Sequence, residues 1–278
     1  MKKILLLLVA LSFTAVTFAQ KKEKIKGSKT VTVAQKEVEN FENLEVEDNI
    51  EIFLSKGGTQ SLEIEADDNL HESIIAELKG TTLRLYTDKD ITGAKKLSVR
   101  VTYTDNLKTI TAKNEVTINS LTDLQLEDIT VKNLDYSKSY LNVKSANFTL
   151  IMNDKTSAEL NFQGDNVTVE LSKSSQLKAL IAAGMQAKID LYQKTSAVIE
   201  GDAATAKIRV DNNASFTGKK FTAKNMELVA EGYTSCNVNA SETISIAASG
   251  KTQIQLFGKP KVEVTNFADS AVLSKKEM

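Results

Sequence analysis

Short runs of alternating apolar and polar residues fill most of the chain between residues 119 and 262. In one of them, Ile208 and Val210 alternate with Lys207 and Arg209. Such period-two alternation over four to six residues predicts a β-strand with one buried face. No stretch in this half has the three-and-four spacing of an amphipathic helix, so the pattern predicts an all-β structure.

A short motif that begins with Lys-Thr or a related pair recurs along this half. Its copies begin at Lys138, Lys155, Lys173, Lys194, Asn212, Tyr233 and Lys251. They are 17, 18, 21, 18, 21 and 18 residues apart, whereas a propeller blade needs about 40 residues and a leucine-rich repeat needs its Leu and Asn signature. The motif therefore predicts a β-solenoid, in which parallel coils stack about 4.8 Å apart.

Residues 41–118 differ, because their alternating runs surround one candidate helix. A helical turn is predicted around Leu70, Ile74 and Leu78, which are spaced by four, with Gly80 as the stop signal. The remaining runs predict strands joined by turns. This part of the chain is therefore expected to form a β-rich cap on the coils.

The first 19 residues have the order of a secretory signal peptide, with Lys2 and Lys3 before an apolar run and small residues after it. Cleavage is predicted between Ala19 and Gln20. The apolar run is about 15 residues long, and a membrane span needs roughly 20, so a retained anchor is the less favoured alternative. The mature chain is expected in the periplasm, at the outer-membrane surface or outside the cell, without a transmembrane segment.

Composition and charge narrow the function classes. Removing Lys2 and Lys3 leaves 33 basic against 36 acidic side chains, a net charge of 33 − 36 = −3. Nucleic acid is not an expected partner, because it would require a basic surface. Trp is absent and Pro occurs once, which favours a thin core and uninterrupted strands. The single cysteine, Cys236, cannot form an internal disulfide and is expected to be buried.

Together these patterns divide the chain into segments of different character. The leader and the tail are charged and are expected to lie outside the packed domain. The predicted segments are a signal peptide (1–19), a charged leader or linker (20–40), a cap-like N-terminal part (41–118), repeating coils (119–262) and a C-terminal tail (263–278).

Three stretches of the chain carry a family resemblance. They are FENLEVEDNIEIFL (41–54), SLEIEADDNLHESIIAELKGTTLRLY (61–86) and IQLFGKPKV (254–262). Together they resemble the putative auto-transporter adhesin, head GIN domain family of Bacteroidetes-type bacteria, over roughly residues 41–262. Many members carry Ser-Gly-Ala-Ser at each coil corner, where this chain has KTSA, NNAS and YTSC. The resemblance implies an exported, right-handed parallel β-helix whose biochemical role in the family is unknown.

No catalytic, cofactor-binding or metal-ligating residue is predicted. The chain has no His-Glu-x-x-His, no Gly-x-Ser-x-Gly, no phosphate loop and no cysteine pair. The only histidine, His71, is interpreted as a surface or capping residue, with a catalytic or ligand role as the alternative. Three acidic pairs are interpreted as solvated turn residues rather than as a calcium or catalytic site: Asp67 with Asp68, Asp88 with Asp90, and Asp123 with Asp128.

Five lysines occupy one position of the motif and are the candidate binding residues. A ladder of these lysines would bind an acidic polysaccharide or a lipid head group. The alternative is that they are solvated charges that keep other molecules from adding strands. These lysines are Lys138, Lys155, Lys173, Lys194 and Lys251.

Four Asn-x-Ser/Thr sequences also occur in the repeats. They are interpreted as asparagines favoured at solenoid turns and not as glycosylation sites. They begin at Asn147, Asn166, Asn213 and Asn239.

Three function hypotheses follow from the sequence. The first is an exported, non-enzymatic β-helix that presents a flat surface to a cell-surface glycan or an envelope protein. The second is a carbohydrate-active β-helix enzyme, a polysaccharide lyase or hydrolase, which carboxylates clustered with Arg or Lys in one groove would favour. The third is a structural or sensing module of the periplasm.

Overall fold

The structure, a computed structural model, describes residues 22–277. It is 68% strand and 2% helix, and the chain winds into a β-solenoid of about nine turns. The all-β solenoid predicted from the alternation and the repeat is confirmed. The predicted signal peptide, with its cleavage residues Ala19 and Gln20, lies outside the described residues.

Most strands of the N-terminal part are short. In chain order they are β1 (Lys24–Lys26), β2 (Val31–Glu37), β3 (Asn43–Val46), β4 (Glu51–Lys56), β5 (Ser61–Asp67), a 3₁₀ helix (Asp68–Ser73), β6 (Ile74–Lys79), β7 (Thr82–Thr87), β8 (Asp90–Thr92), β9 (Leu97–Tyr103), β10 (Thr109–Ala112), β11 (Thr117–Ser120), β12 (Leu124–Gln125) and β13 (Asp128–Asn133).

From residue 138 onward each coil is one long strand followed by a four-residue turn. The last coil is divided into shorter strands. These elements are β14 (Lys138–Met152), β15 (Ser157–Leu171), β16 (Gln176–Leu191), β17 (Ser196–Val210), β18 (Ser215–Ala230), β19 (Ser235–Ala248), β20 (Gln253–Gly258), β21 (Lys261–Phe267) and β22 (Val272–Lys275).

Each long strand bends near its middle, so the coils stack as two parallel ladders. In β14 the bend lies between Ser145 and Phe148, where the buried side changes from odd-numbered to even-numbered residues. Ladder A contains the segments before the bend: β9, β4, β11, the first halves of β14–β19, β20 and β22. Ladder B contains the segments after it: β7, β3, β10, β13, the second halves of β14–β19 and β21.

The turns between coils explain the recurring Lys-Thr motif. Their central residues have positive φ, as at Asp154 (64°) and Lys155 (56°), a conformation that Asn, Asp and Gly tolerate best. The next residue is buried and is usually a hydroxyl side chain. Thr156 Oγ1 donates to Ser175 Oγ one coil away at 2.9 Å. The column consists of Ser137, Thr156, Ser175, Thr195, Ala214, Thr234 and Thr252.

Antiparallel strands close the N-terminal end of the stack. β5 pairs antiparallel with β9 and with β2, and β6 pairs antiparallel with β7. The solenoid already contains β3 and β4, because β3 stacks in ladder B and β4 stacks in ladder A. The turn between them, at Asp48 and Asn49, has the same positive φ as the later turns. The predicted start of the coils at residue 119 is therefore too late.

The charged leader and the tail both contribute strands. β1 pairs with β8 and β2 with β5, so residues 24–37 supply hydrogen-bonded edges to the cap. At the other end β21 pairs with β19 and β22 with β20. The expectation that 20–40 is a linker outside the domain and that 263–278 is a tail is wrong for these strands.

The predicted helical turn is helical only at its beginning. The 3₁₀ helix ends at Ser73, and Ile74–Lys79 forms β6. Leu70 is buried in the helix, whereas Ile74 and Leu78 lie on the strand, paired with Thr87 and Leu83.

A buried carboxylate fastens the leader to the cap. Asp67 has no exposed surface, and it accepts hydrogen bonds from the backbone N–H groups of Lys29 at 2.8 Å, Lys95 at 3.0 Å and Lys96 at 3.0 Å. Burial by itself raises the pKa of this carboxyl, but the three donors outweigh burial and hold its pKa below the ordinary value. The interpretation of Asp67 as a solvated turn residue is therefore wrong.

We expect Asp67→Asn to lower the melting temperature at neutral pH, because an amide directs N–H donors at backbone N–H donors. A depressed pKa means that the carboxylate stabilises the fold above its unfolded pKa of about 3.9, and that this stabilisation is lost as the pH falls through the lower folded pKa. The difference between wild type and variant should therefore shrink below about pH 4. Thermal unfolding of both proteins from neutral pH to below about pH 4 checks this prediction. A difference in melting temperature that does not change with pH would contradict it.

Candidate functional site

A groove of about 700 Å³ lies on the outer face of ladder A, across β11 and β14–β17. A second recess of about 290 Å³ adjoins it and shares several lining residues. Volumes of about 300–1,000 Å³ are typical of ligand sites. Ser120 also lines the groove, whose outward-facing residues are Asn119, Tyr140, Asn142, Glu159, Asn161, Lys178, Leu180, Val198 and Glu200.

Apolar side chains are exposed in the groove, at positions where alternation would place polar ones. The exposed fractions are 45% for Tyr140, 51% for Leu180 and 43% for Val198. Tyr140, Glu159, Lys178 and Val198 form one column, because each pairs with the next across adjacent coils. The column therefore has an aromatic ring at one end, an aliphatic side chain at the other and two charges between them.

Three asparagines give the groove its hydrogen-bonding groups. Asn119 Nδ2 donates to Glu51 Oε1 at 3.2 Å, and Asn161 Nδ2 donates to Asn142 Oδ1 at 3.5 Å. A side-chain amide offers two N–H donors and two acceptor lone pairs. Asn142 and Asn161 therefore keep N–H donors for a ligand. Asn119 keeps only its acceptor oxygen, because its Nδ2 also donates to the carbonyl oxygen of Ile52 at 3.4 Å.

The charged residues of the groove differ in whether they are already paired. Lys220 Nζ lies 3.1 Å from Glu200 Oε1. Among residues 22–277, neither Glu159 nor Lys178 forms an ion pair within 4.0 Å. These two charges lie on adjacent coils and are available to a bound molecule.

The family of the chain follows from a match over most of its length. The model of the putative auto-transporter adhesin, head GIN domain matches residues 40–260. The chain belongs to this family. The resemblance drawn from the three sequence stretches is thereby confirmed.

Crystal structures of other proteins share this head GIN fold. A putative adhesin from Parabacteroides merdae superposes with a TM-score of 0.64 at 14% identity, over 91% of this chain and 99% of that one. A putative adhesin from Parabacteroides distasonis gives 0.65 at 17%, over 92% and 100%. A putative lipid binding protein from the same organism gives 0.59 at 13%, over 91% and 100%. Comparison with curated proteins gave no match.

The five motif lysines do not form one column in the head GIN domain. Lys155, Lys194 and Lys251 do, each two residues before a ladder A segment. Lys173 lies one residue earlier in its turn, and Lys138 lies two residues later, inside β14. Aligning the motifs on lysine therefore placed two of the five in the wrong register.

Two of the aligned lysines lie over tyrosine rings of the preceding coil. Lys155 Nζ is 5.1 Å from the ring centroid of Tyr136, and Lys251 Nζ is 5.2 Å from that of Tyr233. Lys155 Nζ also donates to the Tyr136 hydroxyl at 3.0 Å, and this hydrogen bond raises the pKa of Lys155. These lysines are thus engaged by their own chain.

The other singled-out residues take part in local contacts. His71 Nε2 lies 2.8 Å from Thr32 Oγ1 of β2. Cys236 is buried, as predicted, and burial raises the pKa of its thiol to about 12, which makes it a poor nucleophile. Within residues 22–277, no three His, Cys, Asp or Glu side chains are placed to hold a metal ion, and no helix is long and apolar enough to cross a membrane.

An amide ladder accounts for two of the Asn-x-Ser/Thr sites and for Asp128, one member of an acidic pair. Asn147 Nδ2 donates to Asp128 Oδ1 at 2.7 Å, and Asn166 Nδ2 donates to Asn147 Oδ1 at 3.0 Å. Asp123, the other member of the pair, bridges to Lys144 at 2.7 Å. These side chains link successive coils.

The groove residues could not be singled out from the sequence. They come from separate coils, 19 to 21 residues apart, and no local motif joins them. The available signal was an apolar residue at an outward position, as at Tyr140 and Val198. The sequence alone does not identify these outward positions, because that requires the register of the coils.

Proposed function

We propose that the chain is an exported, non-enzymatic binding module of the cell envelope that holds a glycan in the groove of ladder A. The observation that carries the proposal is the exposed ring of Tyr140 beside unpaired charges and side-chain amides. Export is supported by the signal-peptide pattern of residues 1–19. The family description, putative adhesin, agrees with a binding role.

Glycan chemistry matches the side chains of the groove. A sugar ring has an apolar C–H face, which packs on an aromatic ring, and hydroxyl groups, which both donate and accept hydrogen bonds. Tyr140 offers the ring, and Asn142 and Asn161 offer amides that donate and accept. Asn119 offers only its acceptor oxygen, because both of its N–H donors are already engaged. The exposed Leu180 and Val198 extend the apolar surface along the groove.

The groove also contains the group that would favour an enzyme, namely Glu159 and Glu200 together with Lys178. A catalytic acid at neutral pH needs a pKa raised by burial or by a nearby like charge. Glu159 and Glu200 are both exposed to solvent, and Glu200 forms an ion pair with Lys220. We therefore propose that the groove binds a glycan without cleaving it. An assay for new reducing ends after incubation with a bound glycan tests this, and their appearance would contradict it.

The motif lysines are a weaker proposed contact than the groove. Lys155 and Lys194 are two coils apart, and Lys194 and Lys251 are three, with Ser174, Asn213 and Tyr233 between them. The resulting separations of about 10 and 14 Å both exceed the screening length of about 8 Å at physiological salt. Their charges therefore add little to one another's attraction for an acidic polymer.

A glycan array probed with residues 20–278 tests the proposal. We expect binding to a set of glycans, and Tyr140→Ala to weaken it at least roughly fivefold, because a stacked ring contributes about 1 kcal/mol beyond its buried area. Tyr233→Ala is the matched control, since Tyr233 is exposed at the coil corner outside the groove. An array without binding, or equal losses in both variants, would contradict the groove assignment.

A further inference from the structure

The two ends of the solenoid are finished differently. At the N-terminal end, β9 is covered by β5 and β7 by β6. At the C-terminal end, β21 pairs with β19 and β22 with β20, and no other strand of residues 22–277 pairs with their outer edges. An unpaired edge presents free N–H and C=O groups to any strand that fits.

β21 exposes apolar side chains at positions whose equivalents in the preceding coils point into the core. Val262, Val264 and Phe267 are 41%, 50% and 44% exposed. Their partners in β19, in the same order, are fully buried: Ile244, Ile246 and Ala248. β21 therefore has the surface of a coil that lacks its next neighbour.

β22 is protected in a way that β21 is not. Lys275 pairs with Leu256, whose side chain is buried in the core, and its Nζ donates to the carbonyl oxygen of Gly258. A lysine at an inward position of an edge strand opposes the addition of another strand. The open edge at this end is therefore β21.

We propose that residues 261–263 of β21 pair antiparallel with the same residues of a second copy of this chain, about a two-fold axis through Val262. Outward residues Lys261 and Glu263 form no ion pair within residues 22–277. In this register Lys261 of each copy lies opposite Glu263 of the other, and the two Val262 side chains meet over the core. The pairing closes at a dimer, because the same surface is used by both copies.

Other registers that keep the valines inward are less favourable. Placing Val262 opposite Val264 puts the two Glu263 carboxylates opposite each other, and like charges in that position are destabilising. Centring the pairing on Val264 puts Val262 opposite Asn266, beyond the irregularity between Ile246 and Ala247. The chosen register places Pro260 opposite Val264, which forgoes one ladder bond at each margin because proline has no N–H.

Sedimentation of residues 20–278 over a wide concentration range tests the proposal. We expect a reversible dimer. Val264→Lys should abolish it, because a charge replaces the apolar contact of Val264 with Pro260 of the second copy. Val33→Lys is the matched control, since Val33 is an exposed valine on β2 at the opposite end. A wild-type monomer at all concentrations, or a dimer lost in Val33→Lys but kept in Val264→Lys, would overturn the proposal.

Charge exchange tests the register itself. Lys261→Glu should raise the dissociation constant roughly tenfold or more, because it sets two pairs of like charges opposite each other. The double variant Lys261→Glu, Glu263→Lys restores opposite charges and should restore the dimer. Failure of the double variant to recover, with its melting temperature unchanged, would overturn the pairing.

Discussion

Replacing Leu228 with aspartate is expected to unfold several coils of the solenoid. Leu228 has no exposed surface and stacks between Ile208 and Ile246 in ladder B. An aspartate there has no partner for its charge, and burying it without one is strongly unfavourable. We expect a loss of at least about 4 kcal/mol, a large share of the total stability of a typical domain.

Circular dichroism and thermal unfolding check this prediction. Ile208→Asp, one coil away, should behave in the same way, since each coil depends on the coils that it stacks against. Glu227→Asp is the matched control, because it places the same residue at the adjacent outward position of β18. It should change stability by less than about 0.5 kcal/mol. Unaltered β-structure and an unaltered melt in both core variants would contradict the coil assignment.

The period of the solenoid was predictable from the sequence, but its register was not. Alternation fixes which residues of a run share a face, as with Ile208 and Val210. The lysine marker was misleading because the turn residues are constrained by positive φ and not by side-chain type. Measured on the buried column that begins with Ser137 and Thr156, the spacings are 19, 19, 20, 19, 20 and 18 residues, more regular than those of the lysine motif.

The N-terminal cap was harder to predict because its pairings cross between strands far apart in sequence. Spacing by four, as in Leu70, Ile74 and Leu78, fits one face of a helix and equally the alternate residues of a strand. Long-range pairing of β6 with β7 decides between the two. Charge also misled, since the buried Asp67 looks like a turn residue until its three backbone donors are known.

Gly201→Ala is expected to destabilise the solenoid by about 3 kcal/mol, since both backbone strain and overlap oppose the added methyl group. Gly201 has φ of 107°, where a residue with a Cβ is strained by roughly 1–3 kcal/mol. A Cβ added there would also overlap the carbonyl oxygen of Ile181 in the adjacent coil. That carbonyl belongs to the backbone of the ladder, so it cannot move aside without disturbing the pairing of β16 with β17.

The effect of Gly201→Ala should reach the groove, because Glu200 and Val198 lie on the same strand segment. Denaturant unfolding should show a lower midpoint, and glycan binding should weaken together with it. Gly58→Ala is the matched control, since no atom lies within 4 Å of an added Cβ there and its φ is not positive. That variant should be neutral or more stable by about 0.5 kcal/mol. Equal unfolding midpoints for the two variants would contradict this prediction, because they would show that β17 tolerates a side chain at Gly201.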